Sequence, residues 1–354
     1  MKVLLTGGAG FIGTHVAAAL RVAGDEIVVF DRVHVPDDPA AVVGDVTDLA
    51  AVVAALEGVG VVCHQAAKVG LGVDFGDALG YVSDNDLGTA TVLTALHERG
   101  FAGTFVLASS MVVYGEGRYR CADHGIVPAA PRRPIELNAG KYEPPCPECG
   151  APLVPEAVPE SAPTDPRNVY AATKLAQEHL AFAFAREHPD VSVTALRYHN
   201  VYGPGMPRDT PYAGVSAIFA DALGAGRAPQ VFEDGGQLRD FIHVRDIAAA
   251  NVLAVHAATP GAFNVASGQP RRLLDMAEAL ADAFGAQAPR PEVVGGWRPG
   301  DVRHVFASPD RARHELGFAA SIDFVEGMNE LARVLGAPEP ADVGQKPGGR
   351  IRST

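Results

Sequence analysis

The chain has 354 residues, enough for one large α/β domain with an added lobe or for two domains. Apolar residues make up 47% of the chain and charged residues 20%, a balance that excludes a mostly disordered or fibrous protein. The 42 acidic residues outnumber the 29 Lys and Arg residues, and the resulting net charge of -13 disfavours binding to nucleic acid.

The sequence contains no long apolar stretch of the kind that crosses a membrane. No run of roughly 18 apolar residues occurs, and the N-terminus lacks the long apolar core of a signal peptide. We therefore expect a cytoplasmic protein that binds no membrane. Its four cysteines are too few for a disulfide scaffold in a chain of this size, so we expect them to be thiols.

The first predicted elements are a strand, a glycine-rich turn and a helix. An aliphatic run over residues 2–6 leads into the segment TGGAGFIG, residues 6–13, in which a G-x-G-x-x-G pattern begins at Gly8. In such turns the glycines let the backbone approach a pyrophosphate, which lies at the N-terminus of the following helix. We predict dinucleotide contacts from Gly7, Gly10, Phe11, Ile12 and Gly13.

A second predicted strand ends in an acidic residue. The apolar run 26–30 is followed by Asp31, 18 residues after Gly13. A carboxylate at this place accepts hydrogen bonds from the adenosine ribose hydroxyls and repels the 2′-phosphate of NADP, so NAD is the predicted cofactor. Two observations leave room for other interpretations: the adjacent Arg32, a further predicted cofactor contact, would favour a phosphate, and an aspartate can simply close a strand at the surface.

The next predicted elements are a strand at 42–43, a helix over 49–57 and a strand over 59–63. Ligands of doubly wound sheets lie at the carboxyl ends of the strands, so the residues that follow these strands should border the cofactor. We predict cofactor contacts from Asp45, Val46, Ala66 and Ala67.

A strand predicted over 104–108 leads into Ser110, and a later predicted helix carries Tyr170 and Lys174, four residues apart and therefore on one face. A phenol ionises near pH ~10, and a nearby ammonium group lowers that pKa. Tyr170 could then remove a hydroxyl proton while Ser110 forms a hydrogen bond with the same oxygen. Amphipathic helices often contain a Y-x-x-x-K pattern by chance, so the prediction depends on its place after the glycine turn and the acidic strand end.

Together these motifs resemble those of the extended short-chain dehydrogenase/reductase family, in particular its NAD-dependent sugar-nucleotide epimerases and dehydratases. The resemblance covers roughly residues 1–335 and includes the segment RYHNVYGPG, residues 197–205. It implies that Ser110 takes the catalytic Ser/Thr position, that Tyr170 is the base, and that Lys174 also binds the nicotinamide ribose.

The same resemblance implies further site residues. Asn85 is similar to a helix asparagine that supports the active site next to the cofactor, and Asn200 to an asparagine that contacts the substrate diphosphate. Arg239 and Arg298 resemble two arginines that bind substrate phosphates, a role suited to the planar, permanently charged guanidinium group. Because the chain has 24 arginines, each of the two could also be an ordinary surface arginine.

The two residues that directly follow Ser110 help to indicate which reaction the protein catalyses. Dehydratases of the family carry an Asp-Glu pair there, but this chain has Met111 and Val112, which cannot transfer protons. The expected reaction is therefore 4-epimerisation of a nucleotide-diphosphate sugar through a transient 4-keto sugar. The alternatives are another sugar-nucleotide oxidoreductase, a decarboxylase, a UDP-glucose-type 4-epimerase, or a nucleotide-binding regulator without activity. The intact catalytic set argues against the last.

Residues 115–165 are a predicted insertion, rich in proline and poor in periodic apolar residues. Two pairs of potential metal ligands with two-residue spacers fit a structural zinc site, and the second, CPECG, is a zinc-knuckle sequence. The alternative is a flexible loop with reduced thiols. A similar cysteine-bearing insertion in dTDP-L-rhamnose 4-epimerases implies that class of substrate. The predicted ligands are Cys121, His124, Cys146 and Cys149.

The element order predicts an α/β fold: a Rossmann-type doubly wound parallel sheet with a smaller C-terminal substrate lobe and a zinc-knuckle insertion. By resemblance, helices at 84–99 and 170–187 form a homodimer interface, although Phe182 and Phe184 would equally suit an internal core. The predicted ranges are 1–202 plus 241–267 for the NAD-binding domain, 203–240 plus 268–335 for the sugar-nucleotide-binding lobe, and 338–354 for a disordered tail.

Overall fold

The computed structural model describes residues 1–36, 38–70, 75–208, 214–298 and 300–336, so the predicted tail lies outside the described residues. Within these ranges the strands are β1 Lys2–Thr6, β2 Glu26–Asp31, β3 Val42–Val43, β4 Val61–His64, β5 Gly103–Ser110, β6 Arg118–Cys121, β7 Gly125–Val127, β8 Val154–Glu156, β9 Val191–Tyr198, β10 Asn200–Tyr202, β11 Gln230–Val231, β12 Leu238–His243, β13 Gly261–Val265, β14 Pro270–Arg272 and β15 Glu292–Val293. The α-helices are α1 Phe11–Val22, α2 Leu49–Ala55, α3 Ala78–Tyr81, α4 Gly88–Glu98, α5 Pro134–Asn138, α6 Val169–Glu187, α7 Val215–Gly224, α8 Val244–Ala257, α9 Leu273–Ala283, α10 Asp310–Leu316 and α11 Phe324–Val334.

A seven-stranded sheet forms the centre of the protein. Its order is β13-β9-β5-β4-β1-β2-β3, and every pair is parallel. Helices α1, α8 and α10 contribute to the apolar cluster on one face, and α2, α4 and α6 to the cluster on the other. Strands covered on both faces are continuous apolar runs, which is why Val3, Leu4 and Leu5 are all fully buried. The predicted doubly wound fold is confirmed.

The limits of several elements differ from the predicted ones. Helix α2 was predicted over 49–57 but ends at Ala55, because the chain turns through Gly58 at a φ of +69°. The following strand is 61–64 rather than 59–63, and β5 extends to Ser110. In this last case Ser110, which is predicted to be catalytic, is part of the strand and lies beside Tyr198 of β9.

Most of the chain after β10 builds a smaller lobe. A three-stranded sheet in the order β10-β12-β14 and the two-stranded pair β11-β15 pack with α7, α9 and α11, whose buried apolar side chains form one cluster. Strand β13 and helix α8 lie instead on the central sheet. The predicted domain limits themselves stay a prediction.

The insertion between β5 and α6 has a small sheet of its own, with the antiparallel order β7-β6-β8. Its apolar cluster contains only Tyr119, Cys121, Val127, Ala129, Cys146 and Leu153. So few apolar side chains give little stabilisation by burial. In the described part of the chain, no helix is both long and apolar enough to cross a bilayer.

Candidate active site and metal cluster

A cleft of about 560 Å³ opens where the strand order reverses, at the carboxyl ends of the central strands. It is the position at which open α/β sheets bind their ligands. The predicted site residues that line it are Gly7, Gly10, Phe11, Ile12, Gly13, Asp31, Arg32, Val46, Ala66, Ala67, Ser110, Tyr170 and Lys174. The predicted site residues that do not line it are Asp45, Asn85, Asn200, Arg239 and Arg298.

The glycine turn leaves room for a ligand at the start of α1. Gly7 has a φ of +68°, a conformation that favours glycine. A Cβ atom on Gly13 would lie 2.1 Å from the carbonyl oxygen of Gly7, so only glycine permits this close approach. No side chain caps the helix at Gly10, and the first N–H groups of α1 therefore remain for a ligand. These features fit a dinucleotide diphosphate.

The carboxylate of Asp31 is joined to the same turn. It accepts hydrogen bonds from the backbone N–H groups of Ala9 (2.9 Å) and Val33 (3.0 Å). The carboxylate is thereby held at the carboxyl end of β2, on the wall of the cleft. That position suits contact with a ribose.

The neighbouring Arg32 is occupied by other partners. Its guanidinium forms ion pairs with Asp45 (2.7 Å) and Asp84 (2.9 Å). The hydrogen bond from Arg32 lowers the pKa of Asp45 to about 2, so that carboxylate stays charged at neutral pH. Because two carboxylates face this guanidinium, it is poorly suited to bind a 2′-phosphate. The arrangement favours NAD over NADP.

Ser110 and Tyr170 lie next to each other at the end of β5. Helix α6 starts where the side chain of Asn168 accepts a hydrogen bond from the N–H of Ala171 (2.8 Å), which places Tyr170 in the first turn. Burial raises the pKa of the Tyr170 phenol to about 12, although its hydrogen bond with Ser110 acts in the opposite direction. This direction differs from the predicted lowering.

Lys174, the residue predicted to lower that pKa, is itself buried. Its Nζ donates a hydrogen bond to the carbonyl oxygen of Ala108 (2.9 Å). Burial lowers the pKa of Lys174 to about 7, partly offset by the charges of Glu178 and Asp86. Removal from water therefore sets the direction of both pKa shifts, and for Lys174 it outweighs the charges of Glu178 and Asp86.

Asn85 lies behind the cleft rather than in its wall. It is buried in a π-helical stretch, residues 82–87. Its side-chain oxygen accepts a hydrogen bond from the backbone N–H of Lys68 (2.7 Å), and its side-chain nitrogen donates one to the carbonyl oxygen of Lys68 (3.0 Å). Its amide nitrogen also donates to Thr173 on α6 (2.9 Å). Asn85 therefore connects the loop after β4 to the helix that carries Tyr170 and Lys174.

The two predicted phosphate ligands of the lobe differ in their surroundings. Within the part of the chain that the structure describes, the guanidinium of Arg239 donates only to backbone carbonyl oxygens, including that of Val302 (2.6 Å). Arg298 is exposed and lies 4.8 Å from the ring centre of Phe232. Its charge is thus available to an anion from solution.

A buried polar network behind the cleft was missed at the level of sequence. Glu178 on α6 accepts two hydrogen bonds from Arg197 on β9 (2.9 and 2.7 Å) and one from Ser109. Arg197 also donates to the hydroxyl of Tyr114 (2.8 Å), which donates to Asn264 on β13 (2.7 Å). The one feature of the sequence that could have indicated this network is Arg197, the first residue of the segment RYHN.

His199 is a second residue that the sequence reasoning missed. It lines the cleft, is 3% exposed, and both ring nitrogens lack hydrogen-bond partners among the described residues. The adjacent Asn200 has a buried side-chain oxygen in the same state. Buried polar atoms normally have partners, so the ring nitrogens of His199, in the wall of the cleft, fit a site where a ligand supplies them.

His199 should make the protein sensitive to acid. Burial lowers its pKa from about 6.5 to about 3, so below pH 6.5 the unfolded chain takes up a proton that the folded chain excludes. This contribution to stability is present above pH 6.5 and is lost as the pH falls towards 3, by about 2 kcal/mol at pH 5. In urea unfolding at pH 7 and pH 5, His199→Phe should lose less stability than the wild type. An equal loss in both proteins would contradict this.

The four predicted metal ligands come together in the insertion. Their ligand atoms all lie within 4.8 Å of one another. The Cys121 sulfur lies 3.7 Å from the Cys149 sulfur and 3.5 Å from Nδ1 of His124, and that nitrogen lies 3.7 Å from the Cys146 sulfur. Tetrahedral zinc with bonds of about 2.3 Å to sulfur and about 2.0 Å to nitrogen requires about 3.8 Å between sulfurs and about 3.5 Å between sulfur and nitrogen. The spacing fits such an ion.

The sequence profile of the NAD dependent epimerase/dehydratase family matches residues 3–136 and 145–266. The chain belongs to this family. Among its relatives, the dTDP-L-rhamnose 4-epimerase of Burkholderia thailandensis is 34% identical over 350 residues, which cover 93% of each chain. The UDP-glucose 4-epimerase of Corynebacterium glutamicum is 29% identical over 339 residues, 90% of each chain.

Solved structures of this epimerase/dehydratase family share the fold. The complex of UDP-glucose 4-epimerase from Thermus thermophilus with NAD superposes with a TM-score of 0.75 at 28% identity, covering 95% of this chain and 99% of that chain. The complex of MoeE5 with UDP-glucose and NAD gives a TM-score of 0.76 at 29% identity, covering 94% and 98%. The predicted family membership is confirmed.

Proposed function

We propose that this protein is an NAD-dependent 4-epimerase of a nucleotide-diphosphate sugar, with dTDP-L-rhamnose as the first candidate substrate. The observation that carries the proposal is that Ser110, Tyr170 and Lys174 line the same cleft as the glycine turn and Asp31. We choose dTDP-L-rhamnose as the first candidate because the relative from Burkholderia thailandensis is named a dTDP-L-rhamnose 4-epimerase.

Different residues of the cleft bind different parts of the cofactor. The turn at residues 7–13 binds the diphosphate, Asp31 binds the adenosine ribose, and Lys174 binds the nicotinamide ribose. When bound, NAD accepts a hydride from C4 of the sugar and later returns it.

Tyr170 moves the proton. Its phenol must first be ionised, and a cation beside its oxygen lowers the pKa from the value of about 12 that burial imposes. Protonated Lys174, one turn along α6, is a cation that the chain itself offers. Tyr170 then takes the proton of the C4 hydroxyl while Ser110 donates a hydrogen bond to the same oxygen. After the planar 4-keto sugar turns its other face, Tyr170 returns the proton.

Epimerisation fits this cleft better than dehydration does. Elimination of water needs an acid and a base next to the serine, and Met111 and Val112 stand there. Incubation with dTDP-, UDP- and GDP-sugars, followed by NMR of C4, tests the proposal. We expect inversion at C4 without net formation or loss of NADH. Stoichiometric NADH formation, or no conversion of any sugar, would contradict the proposal.

We propose in addition that the cysteine cluster holds one structural zinc ion. Cysteine sulfurs and one histidine nitrogen at tetrahedral spacing are a common zinc ligand set. Metal analysis of the purified protein should give one zinc per chain, and Cys146→Ser should remove it because one of four ligands is lost. The matched control is Cys63→Ser, which changes a buried cysteine on β4 outside the cluster. Equal zinc content in both variants would contradict this assignment.

The state of the protein in the cell is a further proposal. By family resemblance we propose a cytoplasmic homodimer that forms through α4 and α6. Leu180 on α6 is partly exposed, while Phe182 and Phe184 pack against their own sheet. The molecular mass in solution tests the dimer.

A further inference from the structure

We propose that the metal-bearing insertion, residues 115–165, positions residues 295–298 and 300–304 of the substrate lobe for binding the diphosphate of the sugar nucleotide. Metal occupancy would then control sugar-nucleotide affinity and leave NAD binding unchanged. This inference rests on the proposed function, because it uses the prediction that Arg298, an exposed arginine of the lobe, binds that diphosphate.

Arg303 is the centre of the contact between the insertion and the lobe. Its side chain is 3% exposed and donates to Glu143 of the insertion through Nε (2.8 Å) and Nη2 (2.6 Å). On the lobe side it pairs with Glu233 (2.9 Å) and Asp234 (2.7 Å). The other oxygen of Glu143 lies 2.9 Å from Nε2 of His304. The Glu143 carboxylate of the insertion therefore contacts two consecutive side chains of the lobe, Arg303 and His304.

A second buried ion pair crosses the same boundary. Arg132 of the insertion pairs with Glu233 (2.8 Å), and both side chains are almost completely buried. The same guanidinium donates to the carbonyl oxygen of Asp301 (2.6 Å). Loss of one partner from a buried pair leaves an uncompensated charge, so these contacts strongly favour a single arrangement of the two parts.

Further contacts lie beside the exposed arginine. Trp297 donates its indole N–H to the side chain of Asn138 in the insertion (2.8 Å). The hydroxyl of Tyr142, also in the insertion, donates to the carbonyl oxygen of Gly295 (3.3 Å). Arg298 follows directly after Trp297 and lies over Phe232. The insertion thus holds the backbone from which the Arg298 side chain extends.

The metal cluster is close in the chain to these contacts. Glu143 precedes the ligand Cys146 by three residues, and Tyr119 packs with Cys121 and Cys146 in the small apolar cluster of the insertion. The hydroxyl of Tyr119 accepts a hydrogen bond from the backbone N–H of His304 (3.1 Å). Because this cluster buries little apolar surface, the metal should supply much of the order of the segment.

The cofactor cleft is lined by other parts of the chain. Neither the insertion, residues 115–165, nor residues 295–298 and 300–304 line the cleft. Loss of the metal should therefore weaken the binding of the sugar nucleotide and spare that of NAD. A general loss of folding would weaken both.

The first test compares zinc-loaded protein with protein treated with a chelator. Calorimetric titration with dTDP and UDP should show at least about tenfold weaker binding of the preferred nucleotide after zinc removal, with the Kd for NAD unchanged. Trp297, the single tryptophan of the chain, reports the same event, since its fluorescence should change on zinc removal. Equal nucleotide affinity in the two forms would overturn the inference.

The second test keeps the metal in place. Glu143→Gln removes the negative charge that faces Arg303 and His304 and leaves all four metal ligands intact. We expect one zinc per chain, a KM for the sugar nucleotide raised about three- to tenfold, and kcat within twofold of the wild type. The matched control is Arg120→Ala, which removes an exposed ion pair with Glu156 inside the insertion and should leave KM unchanged. An unchanged KM for Glu143→Gln would overturn the inference, whereas absence of turnover in zinc-loaded wild type would overturn the proposed function itself.

Discussion

Replacing Tyr170 with Phe should lower kcat about 10³-fold while the purified protein keeps its NAD. The substitution removes only the phenol oxygen, which in this account takes the proton of the C4 hydroxyl and gives it back. General acid–base groups contribute roughly 10² to 10⁴ in rate, and the remaining cleft residues still bind cofactor and sugar. Initial rates of C4 inversion by NMR, together with the NAD content of the protein, measure both effects.

A matched substitution controls for the loss of a hydroxyl group. Tyr202 packs in the apolar cluster of the lobe, outside the cleft, and Tyr202→Phe should retain the wild-type rate. If Tyr170→Phe kept its rate within tenfold of the wild type, another group would have to act as the base.

Replacing Arg197 with Met should destabilise the protein by about 3–5 kcal/mol. The side chains of Arg197 and Glu178 are 7% and 3% exposed and form two parallel hydrogen bonds. Without the arginine, the Glu178 carboxylate stays buried but loses the cation that is hydrogen-bonded to it, next to Ser109 at the end of β5. Urea unfolding measures the loss in free energy of unfolding. The slope of that free energy against urea concentration should be the same for the variant and the wild type.

Two comparisons make this prediction specific. Arg120→Ala removes an exposed ion pair and should cost at most about 1 kcal/mol. The double variant Arg197→Met with Glu178→Leu should regain part of the lost stability, because it no longer buries an unpaired charge. A loss of under 1 kcal/mol for Arg197→Met alone would show that the pair contributes little.

Local spacing was enough to predict much of the cleft. The glycine turn and Asp31 depend on distances along one strand–turn–helix unit, and Tyr170 and Lys174 depend on one helical turn. Parallel strands that end at one edge then bring these units together without further information. The metal ligands were predicted for the same reason, since short spacers restrict where two ligands can point.

Properties that depend on distant partners could not be predicted in this way. The pKa of Tyr170 is set by burial, and Lys174 faces the carbonyl oxygen of Ala108, 66 residues earlier in the chain. Arg303 meets Glu143 across 160 residues. No local pattern shows that a charged residue will be buried or which opposite charge it will face.

In the proposed mechanism, a hydride leaves C4 of the sugar and returns to it within one complex while Tyr170 holds the proton. The most direct measurement uses a sugar nucleotide with deuterium at C4 and follows the product in ordinary water by NMR. The epimerised product should keep its deuterium at C4. Replacement of that deuterium by a solvent proton would mean that C4 is inverted by proton removal from carbon, and it would contradict the proposed mechanism.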